Sequence, residues 1–228
     1  MLTRFLPMAI TKVDEVEACV GALSEDGFWV RPEPVFLSDV MAPDSPYSYF
    51  RWTKAELENS IAKDPRPEDR SITRNGTNAP CAEQTLPLNS RLDFLRTHLD
   101  SSVEKAFSGE RSLGLTKVLV HRIYAKPSTA GRLFLRSEFS DSTGKTYDWI
   151  IPEIDFVKFA SPFVINGGLQ PDFCETLQKM FRQIETYFTL ALTKPNNRFP
   201  GRFRGCHPLI VGIHSVPNYR DSAARGTH

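Results

Sequence analysis

The stretch Ser24–Phe36, SEDGFWVRPEPVF, contains a turn, a strand and a strand end in close succession. Asp26-Gly27 favours a tight hairpin turn, because glycine adopts the positive φ that such turns require. The large apolar residues that follow are typical of a strand. Pro32 ends the pairing because proline has no amide hydrogen to donate to a sheet. Residues 15–32 therefore predict two antiparallel strands joined by a short polar loop.

A second stretch repeats part of the first. WVRPEPVF, Trp29–Phe36, aligns without gaps on WIIPEIDF, Trp149–Phe156, with tryptophan, proline, glutamate and phenylalanine at the same places. Both copies follow a hairpin turn that contains glycine, and in both we expect the strand to end at the proline. An internal repeat of this kind predicts two similar β-rich lobes. We place the first lobe at residues 1–110 and the second at residues 111–228.

Other segments predict two helices and one long connection. Apolar residues at helical spacing predict helices at residues 90–108 and 172–192. The segment from Met41 to Leu88 lacks clear periodicity, and much of it is rich in proline, asparagine and charge. It predicts a long exposed excursion that is either functional or partly disordered.

Five short segments resemble the bacterial dual-OB-containing domain family. They are CVGALSEDGFWVRP, KVLVHRIY, LRSEFSDSTGKTYDW, LALTKP and HPLIVGIHSVPNY. Ala191 stands where the family favours glycine, and Lys194 where it favours arginine. The resemblance implies a β-rich α+β protein with two OB-like β-barrel lobes and the two helices packed against them. It also implies nucleic-acid or nucleotide sensing, as a sensor or accessory protein of a bacterial conflict or defence system, and it supplies no catalytic residue.

The composition is that of an ordinary soluble globular protein. Of 228 residues, 40% are hydrophobic and 24% are charged, with a formal net charge of +1. No apolar run approaches the roughly 20 residues of a membrane span, and the amino-terminal segment lacks the features of a secretory signal. We therefore expect a cytoplasmic protein that does not associate with a membrane. The four cysteines show no C-x-x-C spacing, so we expect free thiols, no metal site and no cofactor.

Basic and aromatic side chains concentrate in two parts of the chain. Residues 111–136 carry six basic residues and no acidic one, and RFPGRFRG, Arg198–Gly205, carries three arginines and two phenylalanines on an expected mobile loop. OB barrels bind single strands by stacking bases on aromatic rings while cations contact the phosphates. The predicted nucleic-acid-binding residues are Arg31, Arg122, Tyr124, Arg198, Arg202, Phe203 and Arg204. The alternative is a solvated basic face without a ligand.

Alternation along the first predicted hairpin places Trp29 and Arg31 on the same face. Trp29 either lines a groove as a stacking surface beside Arg31, or covers a core while Arg31 pairs with a carboxylate. The repeat also has tryptophan at this position but has Ile151 in place of Arg31, which favours a structural role for the tryptophan. The cation is therefore the residue that needs a functional or structural explanation.

Two other functions stay open at this point. A metal-dependent nuclease or nucleotide-processing enzyme needs several carboxylates that converge on a metal ion. The available group is Glu138, Asp141, Asp148, Glu153 and Asp155, with Lys145 and Lys158 nearby. A protein-interaction subunit would instead use the Met41–Leu88 excursion to bind a partner. Because the acidic group lacks the residue order of a metal nuclease, a non-enzymatic nucleic-acid or nucleotide-binding module is the leading interpretation.

Overall fold

The computed structural model describes residues 1–61, 66–74, 76–128 and 131–219, and the chain divides into two units. The first unit contains Met1–His98 and Phe107–Gly114, and the second contains Leu99–Ala106 and the chain from Leu115 onward. The chain thus leaves the first unit, returns to it for a short segment and leaves it again. The sequence had suggested one boundary, between residues 110 and 111.

Seven strands and two helices build the described part of the first unit. They are β1 (Leu2–Lys12), β2 (Glu17–Ser24), β3 (Trp29–Glu33), β4 (Val35–Phe36), α1 (Leu37–Met41), β5 (Arg51–Asn59), β6 (Asp69–Ile72), β7 (Cys81–Thr85) and α2 (Leu88–Thr97). β1, β2, β3, β6 and β5 pair in that order, and β5 also pairs with β1, which closes a five-stranded barrel. β3 and β6 are parallel, whereas the other neighbouring strands of the ring are antiparallel.

The predicted hairpin at the start of the chain is present. β2 and β3 pair antiparallel, with Ala22 opposite Val30 and Leu23 opposite Trp29. Gly27 has a φ of +82°, a conformation that glycine adopts without the steric cost that a side chain would bring. The Phe28 N–H donates to the Ser24 hydroxyl at 3.1 Å and stabilises the turn.

The predicted excursion from Met41 to Leu88 was wrong, because this segment contains β5, β6 and β7. Along β5 the side chains of Thr53, Ala55 and Leu57 are buried, while Lys54 is exposed. Such alternation is the period of a strand with one face toward a core. The sequence did not reveal the strand because its inward residues are few and mostly small, and charged residues stand between them.

The second unit has a strand order that matches the first. Its elements are α3 (Val103–Ala106), β8 (Leu113–Pro127, which starts in the first unit), β9 (Leu133–Ser140), β10 (Thr146–Ile150), α4 (Ile154–Ala160), a 3-10 turn (Ser161–Phe163), β11 (Val164–Ile165), β12 (Gly168–Leu169), α5 (Pro171–Gln183), β13 (Glu185–Leu192) and β14 (Pro208–Val216). The strands β10, β14, β13, β8 and β9 form a closed barrel. β10 and β14 are parallel, as β3 and β6 are in the first unit.

Both predicted helices are shorter than expected. The helix predicted at residues 90–108 is two helices, α2 and α3. The break arises because Asp100 bonds to β8: its N–H donates to the Leu115 carbonyl at 2.8 Å, and its carboxylate accepts from the Leu115 N–H at 3.0 Å. The helix predicted at residues 172–192 ends at Gln183, and β13 follows. β13 is rich in aromatic and β-branched residues and is buried from Thr186 onward, which favours a barrel strand.

The internal repeat corresponds to the third strand of each barrel. Trp29 begins β3 and Trp149 lies in β10, and both indoles are buried. The two segments then differ, because Val35–Phe36 forms β4 whereas Ile154–Phe156 lies in α4. The prediction of equivalent strand positions is therefore confirmed, but the expectation that each strand ends at the proline was wrong, because Pro32 lies within β3, opposite Arg70, and β10 ends at Ile150.

An aromatic cluster fills the second barrel. The Phe139 ring contacts Tyr147, Trp149 and Phe188 at centroid distances of 5.1 to 5.4 Å. Aromatic pairs at such distances add about 0.5–1.5 kcal/mol each to the stabilisation from buried area.

No helix among the described residues is long and apolar enough to cross a membrane.

Candidate nucleic-acid interface

Arg122 and Tyr124 lie on the outer face of β8, as their alternation with the buried Ile123 requires. The Arg122 side chain is exposed, and its guanidinium carbon lies 4.7 Å from the centroid of the Tyr124 ring. Such a cation–π contact holds the arginine head in place while its donors stay available to solvent. The structure therefore brings these two predicted site residues together.

Asp148 on β10 organises the neighbouring surface. The Tyr124 hydroxyl donates to Asp148 Oδ2 at 2.7 Å, and Arg136 Nε on β9 donates to Asp148 Oδ1 at 3.0 Å. Burial, together with the hydrogen bond to Asp148, raises the pKa of the Tyr124 phenol, so the ring keeps its proton. Arg136 was counted in the basic segment 111–136 but was not predicted as a site residue. Its role depends on the pairing of β9 with β8 and β10, which brings Tyr124 and Asp148 beside it.

The basic loop, residues 193–207, joins β13 to β14 and was expected to be mobile. Hydrogen bonds hold it. The Thr193 N–H donates to the His207 carbonyl at 2.9 Å, and Asn196 Oδ1 accepts from the N–H groups of Arg198 and Phe199, each at 3.0 Å. These bonds give the basic loop a defined conformation in the structure, and its mobility stays a prediction.

Gly201 lies where the two arms of the basic loop approach each other closely, against the backbone of Cys206 and His207. A Cβ atom at this position would lie 2.0 Å from the Cys206 carbonyl oxygen and 2.7 Å from the His207 backbone nitrogen. Only a residue without a side chain allows the two arms of the loop to approach in this way. Gly201 thus permits the tight fold of the loop.

Phe203 does not have the exposed position that base stacking requires. Its side chain is only 8% exposed, and its ring packs edge-on against Trp149 with the centroids 6.1 Å apart. The predicted stacking role was wrong because the ring anchors the loop to the barrel. Phe199 is the exposed aromatic residue of the loop, at 63%, and the Arg198 guanidinium carbon lies 5.4 Å from its centroid.

The loop arginines present their charges at the surface. Arg198, Arg202 and Arg204 are all exposed. Arg202 Nη2 lies 2.6 Å from Glu104 Oε1, so this predicted phosphate contact already has an internal anionic partner. Arg204 has a φ of +52°, the left-handed region, which is uncommon for a residue other than glycine. The loop therefore presents three arginines and one aromatic ring to solvent.

Arg31 belongs to the core of the first unit and not to a surface site. It is 2% exposed, and its Nη1 lies 3.1 Å from Asp69 Oδ1 on the parallel neighbour β6. Its guanidinium also donates to the Ser112 hydroxyl at 3.2 Å, and that hydroxyl donates to Glu68 at 2.9 Å. The prediction that Arg31 binds nucleic acid was therefore wrong. Its side chain points into the core, where the buried Asp69 carboxylate pairs with it. In the second unit the equivalent Ile151 is buried without needing such a partner.

The acidic group of the alternative enzyme function is engaged in local structure. Burial alone would raise the pKa of Asp141, but hydrogen bonds from Thr143, Val103 and Tyr147 lower it. Glu153 caps α4 by accepting from the Asp155 and Phe156 N–H groups. Among the described residues no group of three or more His, Cys, Asp or Glu side chains could hold a metal ion.

Comparison with known proteins adds no family to these observations. No family model matches the chain, and no curated protein matches its sequence. The resemblance to the dual-OB-containing domain family therefore stays a prediction.

Proposed function

We propose that the second unit is an OB-like barrel that binds single-stranded nucleic acid without catalysing a reaction. The fold part of the proposal is supported by the strand order. The five barrel strands, counted in chain order, are β1, β2, β3, β5 and β6 in the first unit and β8, β9, β10, β13 and β14 in the second. In each barrel the first of them pairs with the second and the fourth, and the third is parallel to the fifth. A closed five-stranded barrel of this order is a Greek-key arrangement, the type to which OB folds belong.

The position of the basic loop carries the functional part of the proposal. OB folds bind oligonucleotides on the face of the second and third strands, flanked by the loop between strands one and two and the loop between strands four and five. In the second unit those strands are β9 and β10, and the loop between strands four and five is the basic loop. Four of the seven residues predicted from charge and aromatic content, Arg198, Arg202, Phe203 and Arg204, thus lie on the loop that this type of barrel uses.

The chemistry of the surface suits a single strand. Arg198 and Arg204 can contact phosphates, and Arg122 and Arg136 lie on the neighbouring strands β8 and β9. Phe199 offers an exposed ring for one base. Base–aromatic stacking contributes about 1–3 kcal/mol per base, and each cation that contacts a phosphate releases counterions. In the context of the family resemblance, such a module would serve as a sensor or accessory protein of a bacterial defence system.

Direct binding of oligonucleotides tests the proposal. Fluorescence anisotropy of labelled single strands of about 12 nucleotides, within the usual site size of an OB fold, should show binding at low salt that weakens steeply as salt increases. A double strand of the same sequence should bind less tightly, because paired bases cannot stack on Phe199. Phe199→Ala should weaken single-strand binding, whereas Lys179→Gln on α5, outside the proposed interface, should leave it unchanged. Absence of binding to every oligonucleotide at low salt would refute the proposal.

A further inference from the structure

Three segments of the second unit meet at one carboxylate oxygen. Glu104 on α3 uses Oε1 to accept from Lys145 Nζ, which comes from the β9–β10 turn, at 2.6 Å. The same oxygen accepts from Arg202 Nη2 of the basic loop, also at 2.6 Å. Two cations that are distant in sequence therefore converge on a single anionic atom.

The Tyr147 ring helps to hold both cations. Lys145 Nζ lies 5.8 Å and the Arg202 guanidinium carbon 6.0 Å from the ring centroid. Burial, with the nearby charges of Asp141 and Glu104, raises the pKa of the Tyr147 phenol. The ring is therefore uncharged and offers its face to the two cations, which favours the position they occupy.

The three charged side chains can be reached from solvent. Their side chains are 42% exposed for Lys145, 53% for Arg202 and 47% for Glu104. Exposed ion pairs contribute little stability, typically about 0–1 kcal/mol, because water and salt screen them. A phosphate anion from a ligand can therefore displace Glu104 from the pair.

We propose that Lys145 and Arg202 form a phosphate-binding subsite, and that Glu104 occupies it as an internal competitor. The inference rests on the proposed nucleic-acid binding, and it names a site within that function. Two cationic donors aimed at one oxygen are the arrangement that binds a phosphate oxygen. Lys145 gains a role here that its position in the acidic segment did not suggest.

The charge of the phosphate decides how well it competes. A terminal phosphate monoester carries about −1.5 to −2 charge at neutral pH, whereas a diester in the backbone carries a single charge. Both can supply the oxygen, but the monoester should displace Glu104 more completely. Single strands with and without a 5′-phosphate therefore distinguish a terminal from a backbone phosphate as the occupant.

Glu104→Gln is the direct test, because it removes the competing charge and leaves both cations. We expect this variant to bind a single strand about 3- to 30-fold more tightly than the wild type at low salt, the range that two exposed ion pairs allow. The control is Glu175→Gln on α5, where Glu175 pairs with Lys179 at 2.7 Å. It removes the same charge from the same unit and should bind like the wild type.

The possible outcomes separate the subsite from the proposed function. If the wild type binds and Glu104→Gln binds no more tightly, the subsite is refuted and nucleic-acid binding stands. If the wild type does not bind, nucleic-acid binding is refuted together with the subsite that rests on it, and if both proteins bind and Glu104→Gln binds more tightly, both proposals are supported. Lys145→Gln is a second variant that keeps the test independent of α3. It should bind more weakly than the wild type, and unchanged binding by this variant would also refute the subsite.

Discussion

Replacing Phe203 by alanine should lower the free energy of unfolding of the second unit. The loss of a base-stacking surface should not be the cause of its effect. The ring is 8% exposed and rests against Trp149 in the aromatic cluster of the barrel. Burial of a phenylalanine side chain contributes about 1.5–3 kcal/mol, and the cavity left by truncation increases the total to about 3–5 kcal/mol. Because the basic loop lies at the surface and can partly close the gap, we expect a loss of about 3 kcal/mol, the lower end of that range.

Phe199→Ala is the matched variant in the same loop. Phe199 is 63% exposed, and surface substitutions usually change stability by less than about 0.5 kcal/mol. If Phe199 stacks on a base, its removal should weaken oligonucleotide binding by about 1–3 kcal/mol. The two phenylalanines of RFPGRFRG should therefore have opposite effects, one on stability and one on binding.

Urea denaturation, followed by tryptophan fluorescence, measures the stability of both variants. Fluorescence anisotropy in low-salt buffer without urea measures their oligonucleotide binding. Trp149, which contacts Phe203, is the tryptophan of the second unit, whereas Trp29 and Trp52 report on the first. A Phe203→Ala protein with wild-type stability and impaired binding would show that the ring is a stacking surface after all. A Phe199→Ala protein that loses as much stability as Phe203→Ala would refute the assignment of the two roles.

Three other substitutions test separate parts of the structure. Arg31→Ala should destabilise the first unit by about 2 kcal/mol in urea denaturation, because the buried Asp69 carboxylate loses one of its two arginine partners and keeps only Arg66; weaker oligonucleotide binding at full stability would contradict the core assignment. Gly201→Ala should displace the basic loop and weaken oligonucleotide binding in anisotropy, because the new Cβ collides with the Cys206 carbonyl; unchanged affinity would contradict the close approach. The lowered pKa of Asp141 stabilises the fold above the unfolded pKa of about 3.9, and this contribution is lost as the pH falls through the folded value. Asp141→Asn should therefore be less stable at neutral pH and lose less stability on acidification, as thermal melts at several pH values would show; an acid sensitivity equal to that of the wild type would contradict this.

Local sequence signals predicted the elements whose causes are local. Gly27 and Gly144 both have a positive φ, and each lies in a turn that joins two antiparallel strands. The strand β13 was taken for the end of a helix because its large residues continue the spacing of α5. Its burial on both faces depends on the barrel around it, and no local pattern distinguishes such a strand from a buried helix.

The candidate site was predictable in position but not in detail. The arginines of RFPGRFRG lie on an exposed loop, as charge alone suggests. Which phenylalanine is buried depends on Trp149, which lies elsewhere in the chain and meets Phe203 only in the folded barrel. The partner of Arg31 was beyond local reasoning for the same reason, because Asp69 lies in the segment that had been taken for an exposed excursion. Long-range pairing therefore decides which charged and aromatic residues are available to a ligand.

The salt dependence of single-strand binding by a loop variant tests the central claim most directly. Arg198, Arg202 and Arg204 are replaced together by glutamine, and the control replaces three cations outside the proposed interface, Lys158, Lys179 and Arg182. If the basic loop contacts phosphates, the slope of log affinity against log salt should fall by about 2 units in the loop variant, at about 0.7 per contact for a single strand. The control should keep the wild-type slope, and both variants should remain folded. A loop variant with the wild-type slope and affinity would contradict nucleic-acid binding through this surface.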